Sequence, residues 1–553
     1  MADAPTLGEF DYVIVGAGTA GCVLANRLSV DPNTTVCLIE AGGRDSHPFI
    51  HVPAGVAAAI GTKKLGWGYW STPQAHLDGR RIPMPRGRVL GGSSSINGMA
   101  YHRGNPADYD DWAAAGAKGW SYAEVLPYFK RSENNPDYAG SPFHGQGGEM
   151  NVTFPRGPNP LNGVFADAMA GLQFRKTDDF AGANGEGYGL RQGMIRNGRR
   201  ESGTTAFLNP ARRRPNLRIV TDAVVQRVVI EDGRATGVEI RSPDGRDVVG
   251  ARREVIVCGG AMGSPQILML SGVGDSAELK AHGIEVRRHL PAVGKNFHDH
   301  FAALVQMTTE DATSYGVSWK AFPRGVWNVL QYLLARQGPF ASNVFESTAF
   351  IKTRDGLDRP DIQLVFQPAR RNLGKLMTFP LPIGHGFQIT AVLLYPKSRG
   401  RVSLKSADPA EAPLIDPNLL AVPEDADAVV RGLNIARRVF ASPAFAPLKA
   451  QELLPGAAVK TDAEMRDYVK RTLGTVHHPA GSCRMGADPD SVVDPELKVR
   501  GIEGLRVVDA SIMPFVIGGN TNAPVVMIAE KAADMILGKT PLPAERPKTQ
   551  AAA

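Results

Sequence analysis

The chain has 553 residues, 43% of them hydrophobic and 21% charged, proportions of a folded globular protein that exclude disorder outside the ends. That length exceeds the roughly 100–200 residues of one ordinary domain, so two domains, or one large domain with a second built into it, are expected. The net charge of +7 is thin over such a chain and basic runs such as 211–215 are short, which speaks against nucleic acid as a partner.

The first ten residues carry acids and no apolar run, and no stretch approaches the ~18 apolar residues of a membrane span. The expectation is a chain neither secreted by an evident signal nor membrane-spanning, with a cytoplasmic location. Cys22, Cys37, Cys258 and Cys483 lie far apart and mostly in apolar runs, as reduced core thiols do.

The first legible element is FDYVIVGAGTAGCVLANRLS (10–29): a β-branched run, a break at Gly16, Gly18 and Gly21, then a helical pattern through Val23, Leu24 and Leu28. In such a strand–turn–helix unit Gly16 permits the turn, Gly18 lets backbone approach a pyrophosphate, and Gly21 lets helix and strand pack closely. The phosphate then sits at the helix N-terminus, where unpaired N–H groups and the dipole favour an anion. A second strand, TVCLIEAGG (35–43), ends in Glu40. A carboxylate there suits a ribose diol and repels a 2′-phosphate, which favours FAD or NAD over NADP.

Further along, RGRVLGGSSSINGMAYHRG (86–104) packs glycines and small hydroxyls where no regular element is stable. REVIVCGGAMGSPQILMLSGVG (253–274) reads as strand, glycine turn and helix, and GLRVVDASIMPF (504–515) as a strand running into Asp509. Three such segments suggest a ligand longer than a mononucleotide. The aromatic stretch 319–347 has helical spacing at Val326, Val329, Leu330, Leu333 and Leu334. Core packing is its first reading; a lid, a pocket wall or a segment resting on a membrane surface is the alternative. Strand-like alternation follows at 387–396 and 400–406. Finally, GTVHHPAGSCRMG (474–486) sets His477 beside His478 with no third ligand at metal spacing.

On these segments the chain resembles the glucose-methanol-choline oxidoreductases, FAD-dependent alcohol-oxidising flavoproteins. Residues 87–110 and 260–274 are similar to the family's two signatures, and 290–300 and 506–514 to further blocks. The resemblance covers roughly Phe10 to Gly538, and by block similarity it is nearest to bacterial medium-chain alkanol, polyethylene glycol and choline-type dehydrogenases.

The resemblance implies an α/β fold: a Rossmann-like FAD domain (8–155, 195–310, 470–540), interleaved with a substrate domain on a mostly antiparallel sheet with helices (156–194, 311–469), and a flexible tail (541–553). It places the FAD pyrophosphate over Gly16, Gly18, Thr19, Ala20 and Gly21, the ribose on Glu40 and Ala41, and adenine on Val224. The flavin falls against Arg88, Gly91, Gly92, Ser93, Asn97 and Gly98, and the remainder of the cofactor against Asp509, Ala510, Asn520 and Thr521. Where some relatives attach flavin through a histidine, this chain has Ile96, so FAD is expected to be noncovalent. Ser95 lies near the flavin locus.

The same resemblance makes His478 the base that takes the hydroxyl proton while hydride passes to flavin N5, and makes Asn522 its partner, with His477 a neighbour. A metal is not expected: His298, Asp299 and His300 resemble a turn of non-metal enzymes. Glu346 matches a glutamate of choline and alkanol enzymes alike and does not decide the substrate. The implied reaction is primary alcohol to aldehyde, with electrons passing to a quinone or other acceptor, or to oxygen in the alternative. Peripheral contact with the inner face of an anionic membrane is a further alternative. A hydroxynitrile lyase, a fatty-acid photodecarboxylase and a non-catalytic flavin protein are the remaining readings; photodecarboxylases have a cysteine where this chain has Phe345.

Overall fold

A computed structural model of the chain describes residues 6–371 and 384–547. The apolar run Tyr12–Val15 is buried on both faces, as the centre of a covered parallel sheet must be. Around it, Thr6–Val15, Val36–Ile39 and Leu217–Val220 run side by side in parallel, with Gly245–Val257 on the other flank. Leu505–Val507 joins the end of that last strand in parallel, while Arg234–Ser242 and Val224–Glu231 extend the sheet antiparallel. The first helix (Thr19–Leu28) packs on the last (Asn522–Ile536). The last helix is buried over almost its whole length, and its buried Glu530 pairs with Arg27 and Arg131.

A second sheet runs in the order Gln451–Leu454, Phe301–Thr309, His385–Leu393, Ile362–Gln367, Ser347–Ile351, Gly187–Leu190, every neighbour antiparallel. The helix Pro423–Phe440 packs against it and buries Val429, Leu433, Ala436 and Val439. Because Phe301–Thr309 is a strand of this sheet, the chain crosses from one sheet to the other near residue 300, earlier than the boundary at 310 read from the sequence.

Two further expectations meet a different structure. Core packing does not describe the helix Phe322–Ala335, whose only buried side chain is Tyr332. Apolar residues at helical spacing look the same in sequence whichever way their face is turned. The tail is tethered as far as it is described: the amide of Glu545 donates to the Ala123 carbonyl at 2.8 Å, that of Leu542 to the Tyr128 hydroxyl at 3.1 Å, and Lys130 pairs with Glu545. Residues 548–553 lie outside the described residues.

Candidate active site

The glycine turn between the first strand and first helix has little freedom. Gly16 sits at φ +101°, and a Cβ on it would lie 2.6 Å from the Cys258 carbonyl oxygen. A Cβ on Gly21 would lie 2.0 Å from the Gly16 carbonyl oxygen, so helix and strand touch backbone to backbone there. Gly18 differs: it lines a cavity, and a Cβ on it would meet nothing within 4 Å. Gly16 and Gly21 therefore build the turn, and Gly18 keeps space open in front of the helix N-terminus. Gly18→Val is expected to fold and to lose FAD, whereas Gly21→Ala is expected to lower the melting temperature itself; FAD content and thermal unfolding of both variants check this.

The cavity, about 440 Å³, is continuous from this turn to the paired histidines. Of the residues expected at the site, Gly16, Gly18, Thr19, Ala20, Glu40, Ala41, Gly92, Ser93, Asn97, Gly98, Val224, His478, Asp509, Ala510, Asn520, Thr521 and Asn522 all line it, and so does Ile96. Gly21, Arg88, Gly91 and Ser95 do not. Gly21 lies beneath Gly16, Arg88 donates to the Ala41 carbonyl at 3.2 Å and stacks on Trp67, the Gly91 amide donates to the Ala17 carbonyl at 2.8 Å, and the Ser95 hydroxyl donates to the Leu90 carbonyl at 2.7 Å. They support the wall without facing the ligand space.

Glu40 is buried and accepts from the amides of Ala17 (2.9 Å) and Gly42 (2.8 Å), which ties the turn to the end of the second strand. Burial outweighs those bonds and pushes its carboxyl up to about 7. Asp509 is likewise buried, accepting from Ser511 N (2.7 Å), Gly260 N (2.9 Å) and the Ser264 hydroxyl (2.5 Å). Among the described residues these are the two carboxylates of the cavity wall.

At the far end His478 is held from both sides. Its Nδ1 lies 2.9 Å from Nδ1 of His300, the two rings nearly perpendicular at 88°, and its Nε2 lies 2.9 Å from Nδ2 of Asn520. An amide NH₂ can only donate, so Nε2 of His478 is the acceptor and its proton sits on Nδ1, facing His300. Burial first, then the neighbouring His300, His477 and Arg86, hold the His478 ring well below the ordinary histidine range, so it is neutral. His477, next to it, has φ +70° and also lines the cavity. Its Nδ1 lies 3.1 Å from the Thr475 hydroxyl, and burial lowers it to about 3.

The expected pairing of His478 with Asn522 is corrected here, because the two asparagines of NTN have different tasks. Asn520 reaches the histidine, whereas Asn522 accepts from the Thr19 hydroxyl at 2.7 Å and points its Nδ2 at the Met194 sulfur, 3.0 Å away. Asn522 is the first residue of the last helix, whose cap is Thr521, and so it joins that helix to the first. The asparagine two residues earlier, still on the loop, is the one free to turn toward the base.

Sequence reasoning passed over the supports of the base. Asp299 is buried and accepts the His478 amide at 2.7 Å, and burial raises its carboxyl to about 7. Arg86 donates to the His477 carbonyl at 2.7 Å. His298 takes the Val516 amide at 2.9 Å and lies 2.5 Å from the Asn296 carbonyl, so the FHDH run binds backbone and the base. Among the described residues no group of three His, Cys, Asp or Glu is placed to hold a metal. A run of acid and histidine with too few metal ligands was the available signal for second-layer support.

Residues 10–302 and 396–529 match the N-terminal and C-terminal domains of GMC oxidoreductases. The chain belongs to this family. It is 44% identical over 533 residues, 96% of each chain, to the alcohol dehydrogenase [acceptor] of Pseudomonas putida. It is also 44% identical over 542 residues to the oxygen-dependent choline dehydrogenase of Sinorhizobium fredii, covering 97% of this GMC oxidoreductase and 96% of the relative. Pyridoxine 4-oxidase from Mesorbium loti superposes with TM-score 0.85 at 32% identity, covering 96% of this chain and 100% of that one. Formate oxidase superposes with TM-score 0.89 at 28% identity, covering 97% and 99%. The protein is thus an FAD-dependent alcohol oxidoreductase with the GMC fold. FAD fits the residues present: open space at Gly18, backbone too close for any side chain at Gly16 and Gly21, and one cavity joining them to a neutral histidine.

Proposed function

We propose that this GMC oxidoreductase converts a neutral primary alcohol to its aldehyde, with His478 as the base and Asn520 as the donor beside it. The observation that carries this reading is the setting of His478 in the cavity wall, with Nδ1 toward His300 and Nε2 beside the Asn520 amide. When bound, FAD supplies the two-electron acceptor for the hydride leaving the carbinol carbon; we propose that it is held noncovalently, as Ile96 in the cavity wall offers no nucleophile. His478 Nε2 takes the hydroxyl proton, for which a substrate oxygen must come within ~3 Å. The Asn520 amide then turns a hydrogen from the histidine to the oxygen as alkoxide character grows. His300, accepting at Nδ1, keeps the imidazolium that forms in place, and Asp299 anchors its backbone.

The charge of the wall supports a neutral substrate over a quaternary ammonium. Glu40 and Asp509 are bound to backbone amides away from the histidines, whereas Arg86, Arg191 and Arg371 line the cavity. Glu346 does not line it: its carboxylate accepts from Asn159 N, Asn162 Nδ2, Tyr315 OH and Ser342 Oγ. With four donors it is fully engaged, and a cation at the base would meet guanidinium groups and, among the described residues, no free carboxylate. Straight-chain or benzylic alcohols are expected to bleach the ~450 nm flavin band under anaerobic conditions, with choline at least ~10-fold poorer in kcat/KM. Choline as the best substrate of such a panel would sink this reading.

We further propose a quinone or other carrier as electron acceptor, a reading supported by the name of the Pseudomonas putida relative. Reoxidation of the reduced enzyme by air at the rate of turnover, with peroxide formed in step with aldehyde, would make it an oxidase. Because the His478 ring is held below its ordinary value of 6.5, it remains the neutral base as pH falls through that value. The acid limb of kcat/KM is therefore expected below pH 6.5 and the plateau at pH 7; a limb centred above 6.5 would contradict the assignment.

A further inference from the structure

We propose that the helix Phe322–Ala335 is a docking element that lies in the surface of an anionic lipid bilayer. The helix is inside out. At roughly 100° per residue, Phe322, Val326, Trp327, Leu330, Leu333 and Leu334 share an arc of about 140°, and this arc faces solvent: Leu334 is 84% exposed and Leu333 63%. Just before the helix, Trp319 is 92% exposed. The polar residues turn to the protein body instead. Arg324 donates to the carbonyls of Ala312 and Ser314, Tyr332 is buried beside Phe340, and Gln331 lies against Gly338. A helix that holds its polar side chains against the protein body and, with Trp319 just before it, exposes Trp327 and a leucine pair has the amphipathicity of an element whose apolar partner lies outside the described residues.

The charge around it selects that partner. Residues 312–345 contain Lys320, Arg324 and Arg336 and no Asp or Glu. Past the helix end, Arg336 packs on Gly198 and Gly338 on Gly157. That brings exposed Arg156, Arg196 and Arg199 to the same rim, in stretches 150–160 and 190–200 that also lack acids. A cationic rim around an exposed apolar arc complements anionic headgroups above acyl chains. A second copy is the poorer occupant, since a two-fold contact sets each patch against itself and brings two basic rims together.

The test uses the FAD-loaded enzyme without substrate, so it does not depend on the alcohol-oxidising reading. Sedimentation with vesicles of phosphatidylcholine alone or mixed with phosphatidylglycerol is expected to show binding to the mixed vesicles. That binding should weaken at least ~10-fold in Leu333→Ser/Leu334→Ser, and also in Arg196→Glu/Arg199→Glu. FAD content and melting temperature should be unchanged in both variants, which shows that they fold. The Trp327 emission, read as the difference from Trp327→Phe, should be that of an exposed indole in buffer and shift to the blue with mixed vesicles. Equal binding by wild type and variants, or no vesicle binding, overturns the proposal. So does concentration-dependent dimerisation abolished by the leucine substitutions, or a Trp327 emission already blue in buffer.

Discussion

Replacement of His478 by alanine is expected to leave FAD bound and to slow anaerobic flavin reduction by about 100- to 10,000-fold, the span a positioned general base supplies. Among the described residues the side chain has two hydrogen-bond partners, His300 and Asn520, both at the active-site end of the cavity. The backbone amide that Asp299 receives survives the substitution. Stability should therefore change little compared with turnover. Rapid-mixing measurement of flavin reduction in His478→Ala and wild type, at matched FAD content, reads the effect; unchanged reduction would falsify the base assignment. His300→Leu provides a graded companion. It removes the acceptor that keeps the His478 proton on Nδ1, so reduction should slow and the acid limb of kcat/KM should move, whereas His300→Asn, which can still accept through its amide oxygen, should recover part of the loss.

The second large effect separates the two asparagines. Asn520→Ala removes the one donor within hydrogen-bond distance of His478 Nε2 among the described residues, and a donor to developing oxyanion charge is worth about 100- to 1,000-fold in kcat. Asn522→Ala instead breaks a bond to Thr19, between the first and last helices. Its cost should appear in thermal stability and FAD retention, on the order of 1 kcal/mol for one hydrogen bond, with kcat close to wild type. Measured kcat and melting temperature for the pair decide the matter. A large kcat loss in Asn522→Ala, with Asn520→Ala near normal, would restore the pairing expected from the sequence.

What the linear chain determined was whatever depends on local spacing or backbone geometry. Gly16, Gly18 and Gly21 follow a β-branched run and precede a helical period, and that order alone defines a turn with room for a phosphate. Glu40 was legible because it ends the next strand, whereas His478 was singled out by the resemblance of its block to the family and not by spacing; both line the cavity. Tertiary structure decided whatever depends on the direction a side chain takes. Asn520 and Asn522 are two residues apart, and only the start of the last helix at Asn522 shows which turns to the base and which to Thr19. Glu346 matches a glutamate of choline and alkanol enzymes alike and left the substrate open in sequence, whereas in the folded chain four donors from three separate segments hold its carboxylate away from the cavity. Periodicity located the helix Phe322–Ala335 and was silent on its facing, because a 3.6-residue repeat records that a helix has two unlike sides; which of them meets the protein is set by contacts with Ala312, Ser314 and Phe340, which only the folded chain brings together.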